Sequence, residues 1–193
     1  MNTKELTTAI TLSSMAVAST LILIFLPNVE LITFTCFIAG ILFGWRVGIF
    51  TAALTATIYE IAVTAILGSS GIIFPFKVIA YCTTALLGAF CGKYFWKLKK
   101  RDFMIMGAFA TLIFDILTTI GMLFLLSQPL SSLLYYLILG TPFYIVHQAS
   151  NAILFTFTPD IVTALDKVGL EAKTIIEAPQ KVPSPAKLQI STT

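Results

Sequence analysis

Residues 27–60 read PNVELITFTCFIAGILFGWRVGIFTAALTATIYE, two apolar runs joined at Gly44-Trp45-Arg46 with Glu30 and Glu60 toward the outer ends. The runs are long and continuously apolar, with none of the alternation of polar and apolar residues that a half-solvated strand or an outer-membrane barrel requires, so they read as helices. The same economy of charge holds along most of the chain. Between Leu6 and Gly92 the only charged side chains are Glu30, Arg46, Glu60 and Lys77, and between Phe103 and Pro159 the only one is Asp115. The whole chain is 58% apolar and 11% charged, with a mean hydropathy of +0.95, against about 25% charged residues in an ordinary globular domain. Its solvent is lipid.

A hydrocarbon core about 30 Å thick takes roughly 20 helical residues per crossing, and the apolar segments predict six crossings, at 8–26, 31–43, 47–67, 74–96, 103–126 and 132–158. The expected fold is therefore all-α: a polytopic membrane protein with six transmembrane helices in one compact bundle. The basic residues divide by connection. Lys4 precedes the first span, Arg46 lies between the second and third, and Lys97, Lys99, Lys100 and Arg101 lie between the fourth and fifth; the alternate connections carry neither Lys nor Arg. Positive charge marks the cytoplasmic side, so both termini are expected inside. The net charge of +3 thus reports orientation, not a nucleic-acid footprint. Residues 1–165 form the expected membrane domain. Beyond Pro159 a short interfacial helix is expected, and 166–193, ending KVPSPAKLQISTT, read as a disordered cytoplasmic tail. The run beginning at Ala9 is too long for a signal-peptide core and leads straight into the next span, so it stays as the first membrane helix. The three cysteines, Cys36, Cys82 and Cys91, sit inside apolar runs without metal-type spacing and read as small buried residues, with no metal site and no cofactor expected.

An ionisable side chain within a span costs about 2.5 to 3.5 kcal/mol on insertion scales, so each needs a partner, a wet cavity or a function. Glu60 falls in the outer half of the third span, Lys77 near the outer end of the fourth with Tyr81 one turn below, and Asp115 near the middle of the fifth. Tyr144, His147, Gln148 and Asn151 follow the i, i+3, i+4, i+7 spacing of one helical face. With Asn28 and Glu30 from the first external loop, these ten residues predict a substrate pocket open to the outside, apolar walls supplying area and a few polar groups fixing orientation. Plainer roles stand beside this one. Glu60 with Lys77, or Asp115 with His147, would also serve as ion pairs joining helices; Gln148 and Asn151 as interhelical hydrogen-bond partners; Glu30 as a solvated loop charge. Small residues at four-residue intervals, Gly40, Gly44, Gly48, Ala52 and Ala56, and Gly88 with Gly92, predict close helix packing. Pro142 is expected to kink the last span.

GAFCGKY at 88–94 is one residue short of a phosphate loop and lacks the hydroxyl after Lys93. The chain has no HExxH and no GxSxG, and nothing in the spacing of its acids and histidine is diagnostic of catalysis. The segments Pro27-Asn28-Val29-Glu30-Leu31, Ala39-Gly40, Phe43-Gly44-Trp45-Arg46-Val47-Gly48, Tyr59-Glu60, Phe114-Asp115-Ile116-Leu117-Thr118 and His147-Gln148-Ala149-Ser150-Asn151 together resemble the substrate-binding S component of energy-coupling factor (ECF) vitamin transporters, over about 8–165. That resemblance implies a prokaryotic cell-membrane subunit, not itself an enzyme, that captures a vitamin or related micronutrient from outside. It also implies partners: an energy-coupling membrane subunit and two ATPase subunits, docked through small residues on the first span, where Ser14 and Ala18 stand in place of the family's two alanines. The alternatives are a small membrane-embedded enzyme using Glu60, Asp115 and His147, and a proton-coupled carrier.

Overall fold

The structure, a computed structural model, describes residues 1–26, 28–68 and 71–167; the tail expected at 166–193 lies almost wholly outside the described residues. Six α-helices follow in order: α1 (Thr3–Ile22), α2 (Ile32–Leu67), α3 (Phe74–Gly92), α4 (Lys100–Leu125), α5 (Leu133–Thr156) and α6 (Thr158–Lys167). The protein is all-α, and among the described residues five helices are long and apolar enough to cross a membrane. Large apolar side chains such as Ile61, Phe90, Phe109, Leu134, Ile138 and Ile153 face outward, as lipid-facing positions do.

α1 starts earlier than the apolar pattern alone indicates. Asn2 Oδ1 accepts from Glu5 N at 2.9 Å while Glu5 Oε2 accepts from Asn2 N at 2.9 Å, a reciprocal cap that nucleates the helix before the lipid-soluble run begins. It also stops earlier, at Ile22, four residues short of the expected end at Leu26. Its buried residues, Ala9, Ser13, Ala16, Val17 and Thr20, form one small-residue stripe, and Ser13 Oγ donates to Thr51 O at 3.2 Å.

The second and third predicted spans lie within one 36-residue helix, α2, interrupted by non-helical backbone at Gly44 (φ 78°, ψ −179°). Only glycine adopts that conformation readily. The chain reverses there: a Cβ placed on Gly48 would sit 3.0 Å from Gly40 Cα, although eight residues of straight helix would separate the two by about 12 Å. The arms 32–43 and 45–67 are thus laid against each other without a loop.

α3 packs into this hairpin with backbone nearly touching backbone. A Cβ on Gly40 would fall 2.1 Å from Ala85 O, one on Gly88 2.1 Å from Phe37 O, and one on Gly92 2.9 Å from Ile41 O. The predicted role of the small residues in close packing therefore holds, and Ala52 and Ala56 join Ala16, Cys36, Tyr81 and Ala85 in a buried cluster. Cys36 and Cys91 are buried and Cys82 half-buried, all as free thiols. A second cluster, with Phe34, Phe37, Phe103 and Phe155 at its centre, closes the end of the bundle where α3 passes into α4 and where Val162 of α6 packs. That end also carries the basic residues. Arg46 lies 5.3 Å over the Trp45 ring, and Lys100 Nζ meets Asp160 Oδ2 at 2.6 Å, tying α4 to α6.

α4 begins at Lys100, three residues before the expected start, because Asp102 Oδ2 accepts from Lys99 N at 2.8 Å and caps it. α5 passes through Pro142 as a continuous helix instead of breaking there. It buries only His147, Asn151 and Phe155, one residue per turn on a single edge, and this edge packs on α4 where Gly107 leaves room for Phe155 and the Asn151 carbonyl.

Candidate functional site

Glu30 occupies the end of the link between α1 and α2, just ahead of the first helical turn. Its carboxylate accepts from Thr33 N at 3.0 Å and from the Thr33 hydroxyl, so it caps a helix that has no other side-chain cap. The reason is local: an acid three residues before a threonine at a helix start satisfies orphan N–H groups and suits the positive end of the helix dipole. From that anchored position Glu30 Oε1 lies 3.5 Å from His147 Nε2.

The other ring nitrogen, His147 Nδ1, lies 2.8 Å from Asp115 Oδ1. Both side chains are almost wholly buried. One imidazole is therefore held between two carboxylates, one from α4 and one from the α1–α2 link. The Phe114 ring stands edge-on to His147 at 5.4 Å and against Tyr81 at 4.9 Å, which carries the aromatic contact on to α3. One turn along α4 from Asp115, Thr119 Oγ1 bonds Asp115 O at 2.6 Å and the Tyr144 hydroxyl at 2.6 Å. One turn along α5 from His147, Asn151 Nδ2 donates to His147 O at 3.3 Å. Ser150 Oγ donates to Asn28 O at 3.3 Å, where Asn28 takes a positive φ of 58°.

Lys77 Nζ and Glu60 Oε2 form a second pair at 2.7 Å, joining α3 to the second arm of α2. Of the ten residues predicted for the pocket, Asn28, Glu30, Asp115, Tyr144, His147 and Asn151 are joined by these polar contacts, Tyr81 adjoins them through Phe114, and Glu60 with Lys77 form a pair of their own. Gln148 is half-buried and has no hydrogen bond among the described residues. Both ion pairs expected from sequence are present. Thr33, Phe114 and Thr119 belong to the site as well. The Glu-x-x-Thr spacing at a helix start was the available signal for Thr33, whereas nothing in the sequence separated Phe114 from the other phenylalanines.

Three buried side-chain atoms of this region have no hydrogen-bond partner among the described residues: Asp115 Oδ2, His147 Nε2 and Asn151 Oδ1. Unmet polar atoms in a buried network carry the full cost of desolvation.

A groove of about 1180 Å³ lies elsewhere, between α1, the first arm of α2 and α6, lined by residues such as Lys4, Thr8, Leu12, Phe34, Ile38 and Ile161. None of the ten predicted pocket residues lines it. Ser14 and Ala18 are exposed on α1, turned away from the stripe that packs on α2. Among the described residues no group of three or more His, Cys, Asp or Glu is arranged to hold a metal ion. No family model, curated protein or solved structure matches this chain.

Proposed function

We propose that the protein is the substrate-binding subunit of an ECF-type transporter, taking a vitamin or related micronutrient from outside the cell for uptake driven by partner subunits. The observation that carries the reading is the grip on His147, which draws polar groups from α4, α5 and the α1–α2 link into one buried, incompletely satisfied region. The segments that resemble the S component supply Asn28, Glu30, Glu60, Asp115, His147 and Asn151 to it. On this reading the two arms of α2 count as separate spans, the first, 32–43, being about 18 Å long and so a partial crossing, with the basic end cytoplasmic by the positive-inside rule and the Glu30 end outside. In this arrangement Glu30 stands at the mouth and its link acts as the closing element. The exposed Ser14 and Ala18 face is where the energy-coupling subunit docks, and two ATPase subunits complete the assembly in a prokaryotic cell membrane.

The test is to purify the protein in mild detergent and identify retained small molecules by mass spectrometry. A vitamin-like compound lost on His147→Ala, together with co-purifying coupling subunits, is the expected result. No retained or bindable compound and no such partners would end this reading.

A second reading rests on a specific observation: carboxylate, imidazole and carboxylate in series is the order of an acid–base relay. On that basis the protein is a membrane-embedded enzyme or a proton-coupled carrier, with Glu30, His147 and Asp115 as its working set and Glu60 set aside by its pairing with Lys77. Turnover, or solute uptake driven by a proton gradient without ATP, abolished by Asp115→Asn, would favour it over the binding subunit.

A further inference from the structure

Three carboxylates, Glu30, Glu60 and Asp115, are gathered in the polar region against one lysine and one histidine. Lys77 is committed to Glu60 at 2.7 Å. Glu30 and Asp115 are left to share His147, through contacts of 3.5 Å and 2.8 Å. Even with the imidazole protonated, the Glu30–His147–Asp115 group carries one negative charge too many, and with it neutral, two. An unbalanced charge in a low-dielectric interior is expensive, and the expense falls when a counter-charge arrives.

The hydrogen-bond inventory points the same way. Asp115 Oδ2 and Asn151 Oδ1 are acceptors, buried and without a donor among the described residues, on side chains that are 2% and 0% exposed. A carboxylate oxygen with spare lone pairs asks for an N–H, not for another anion. The His147–Glu30 contact, at 3.5 Å, is longer than a hydrogen bond and is the loosest link in the set. Beside it the Phe114 ring stands edge-on to His147 at 5.4 Å and packs against Tyr81 at 4.9 Å, an aromatic wall of the kind that favours a neighbouring cation.

We infer that the ligand of this site is a cationic nitrogen compound, a protonated amine or a positively charged flat ring, seated between Asp115, Glu30 and the Tyr81–Phe114 rings. The inference rests on the binding-subunit reading and names the ligand's charge. It excludes carboxylate- and phosphate-bearing compounds whose anionic end would have to enter the site, since they would meet Glu30 and Asp115 with Lys77, the lysine of this region among the described residues, already paired to Glu60.

The full-length protein, in nanodiscs of zwitterionic lipid, is titrated calorimetrically with benzylammonium and N-methylpyridinium as cationic probes and with benzoate as an anion of matching size. The cations are expected to bind about tenfold or more tighter than benzoate, the discrimination a desolvated charge contact provides. Asp115→Asn and Glu30→Gln should each remove most of that difference. The Glu30 variant keeps a side-chain oxygen able to accept from Thr33 N and so preserves the helix cap, and thermal unfolding of both variants is followed in parallel. Benzoate binding as well as the cations, no binding by any probe, or cation affinity unchanged in both variants would each overturn the inference. Mass spectrometry of the co-purified ligand separates the two levels: a retained anionic compound overturns the charge class and leaves the binding subunit standing, whereas no ligand and no partner overturns both.

Discussion

The contact between α2 and α3 is made by glycine and alanine, with carbonyls of one helix where side chains of the other would be, whereas α4 and α5 meet through Asp115, His147, Thr119, Tyr144 and Asn151. In lipid the hydrophobic effect drives neither contact, because the hydrocarbon is as apolar as the helices. The first pair relies on dispersion over closely matched surfaces, which tolerates no added volume. The second relies on a few polar bonds along an edge of α5 that buries only three residues, and it is most sensitive to loss of partners. Stability is concentrated in the first and chemistry in the second.

The comparison breaks most severely at Gly88. A leucine there drives its Cβ to 2.1 Å from the Phe37 carbonyl, so Gly88→Leu is expected to cost about 3 kcal/mol or more and to abolish a monodisperse elution profile. The same change at exposed Gly68, where an added Cβ meets no other atom within 4 Å among the described residues, should be far milder despite its positive φ.

Asp115→Ala comes next. It leaves His147 without its 2.8 Å partner, and removing one member of a buried pair costs about 3 to 5 kcal/mol. Thermal unfolding should fall, with ligand binding lost and α2–α3 packing retained, as read by accessibility of Cys36 and Cys91 to a thiol reagent. If those thiols became reactive, the two regions would not be separable.

Glu60→Gln sharpens the question of whether the Lys77 pair is structural. It strands a half-buried cation, and a second change, Lys77→Met, is expected to restore more than half the lost stability, because it removes the charge left without its partner. Restored stability without restored binding would make Glu60 a ligand contact as well. Thr119→Val, which removes a hydroxyl bonded to Asp115 O and to Tyr144, should cost only about 0.6 kcal/mol, the usual worth of an interhelical hydrogen bond in a membrane. Ser14→Trp, on an exposed face, should leave the melting temperature nearly unchanged and reduce recovery of partner subunits.

Much of the fold was legible because lipid imposes a crude and consistent code: long apolar runs, rare charges, and small residues where backbones meet. The pairs Glu60–Lys77 and Asp115–His147 were legible for a related reason, since an ion in a span needs a counter-ion and few were available. Glu30 was harder. Its reach to His147 crosses more than a hundred residues and depends on the cap it forms with Thr33, which one-dimensional spacing does not encode. Ser13 and Ser14 differ only in helical phase, so which of them faces α2 follows from the packing of α1. At Pro142 the helix does not end: α5 continues from Leu133 to Thr156 with the proline inside it, as proline within a membrane helix is tolerated where neighbouring groups satisfy the freed backbone.

The reversal at Gly44 also governs how the molecule can move. Two helices joined by a single residue of fixed backbone conformation have no slack between them, and α3 wedged against both arms makes the three a rigid block. On the proposed function, an opening that admits a solute is expected at α5, which buries only three residues and contributes His147, and not within this block. An epitope inserted at Gly44 would destroy the block, whereas one placed at 126–129 would only lengthen a tether.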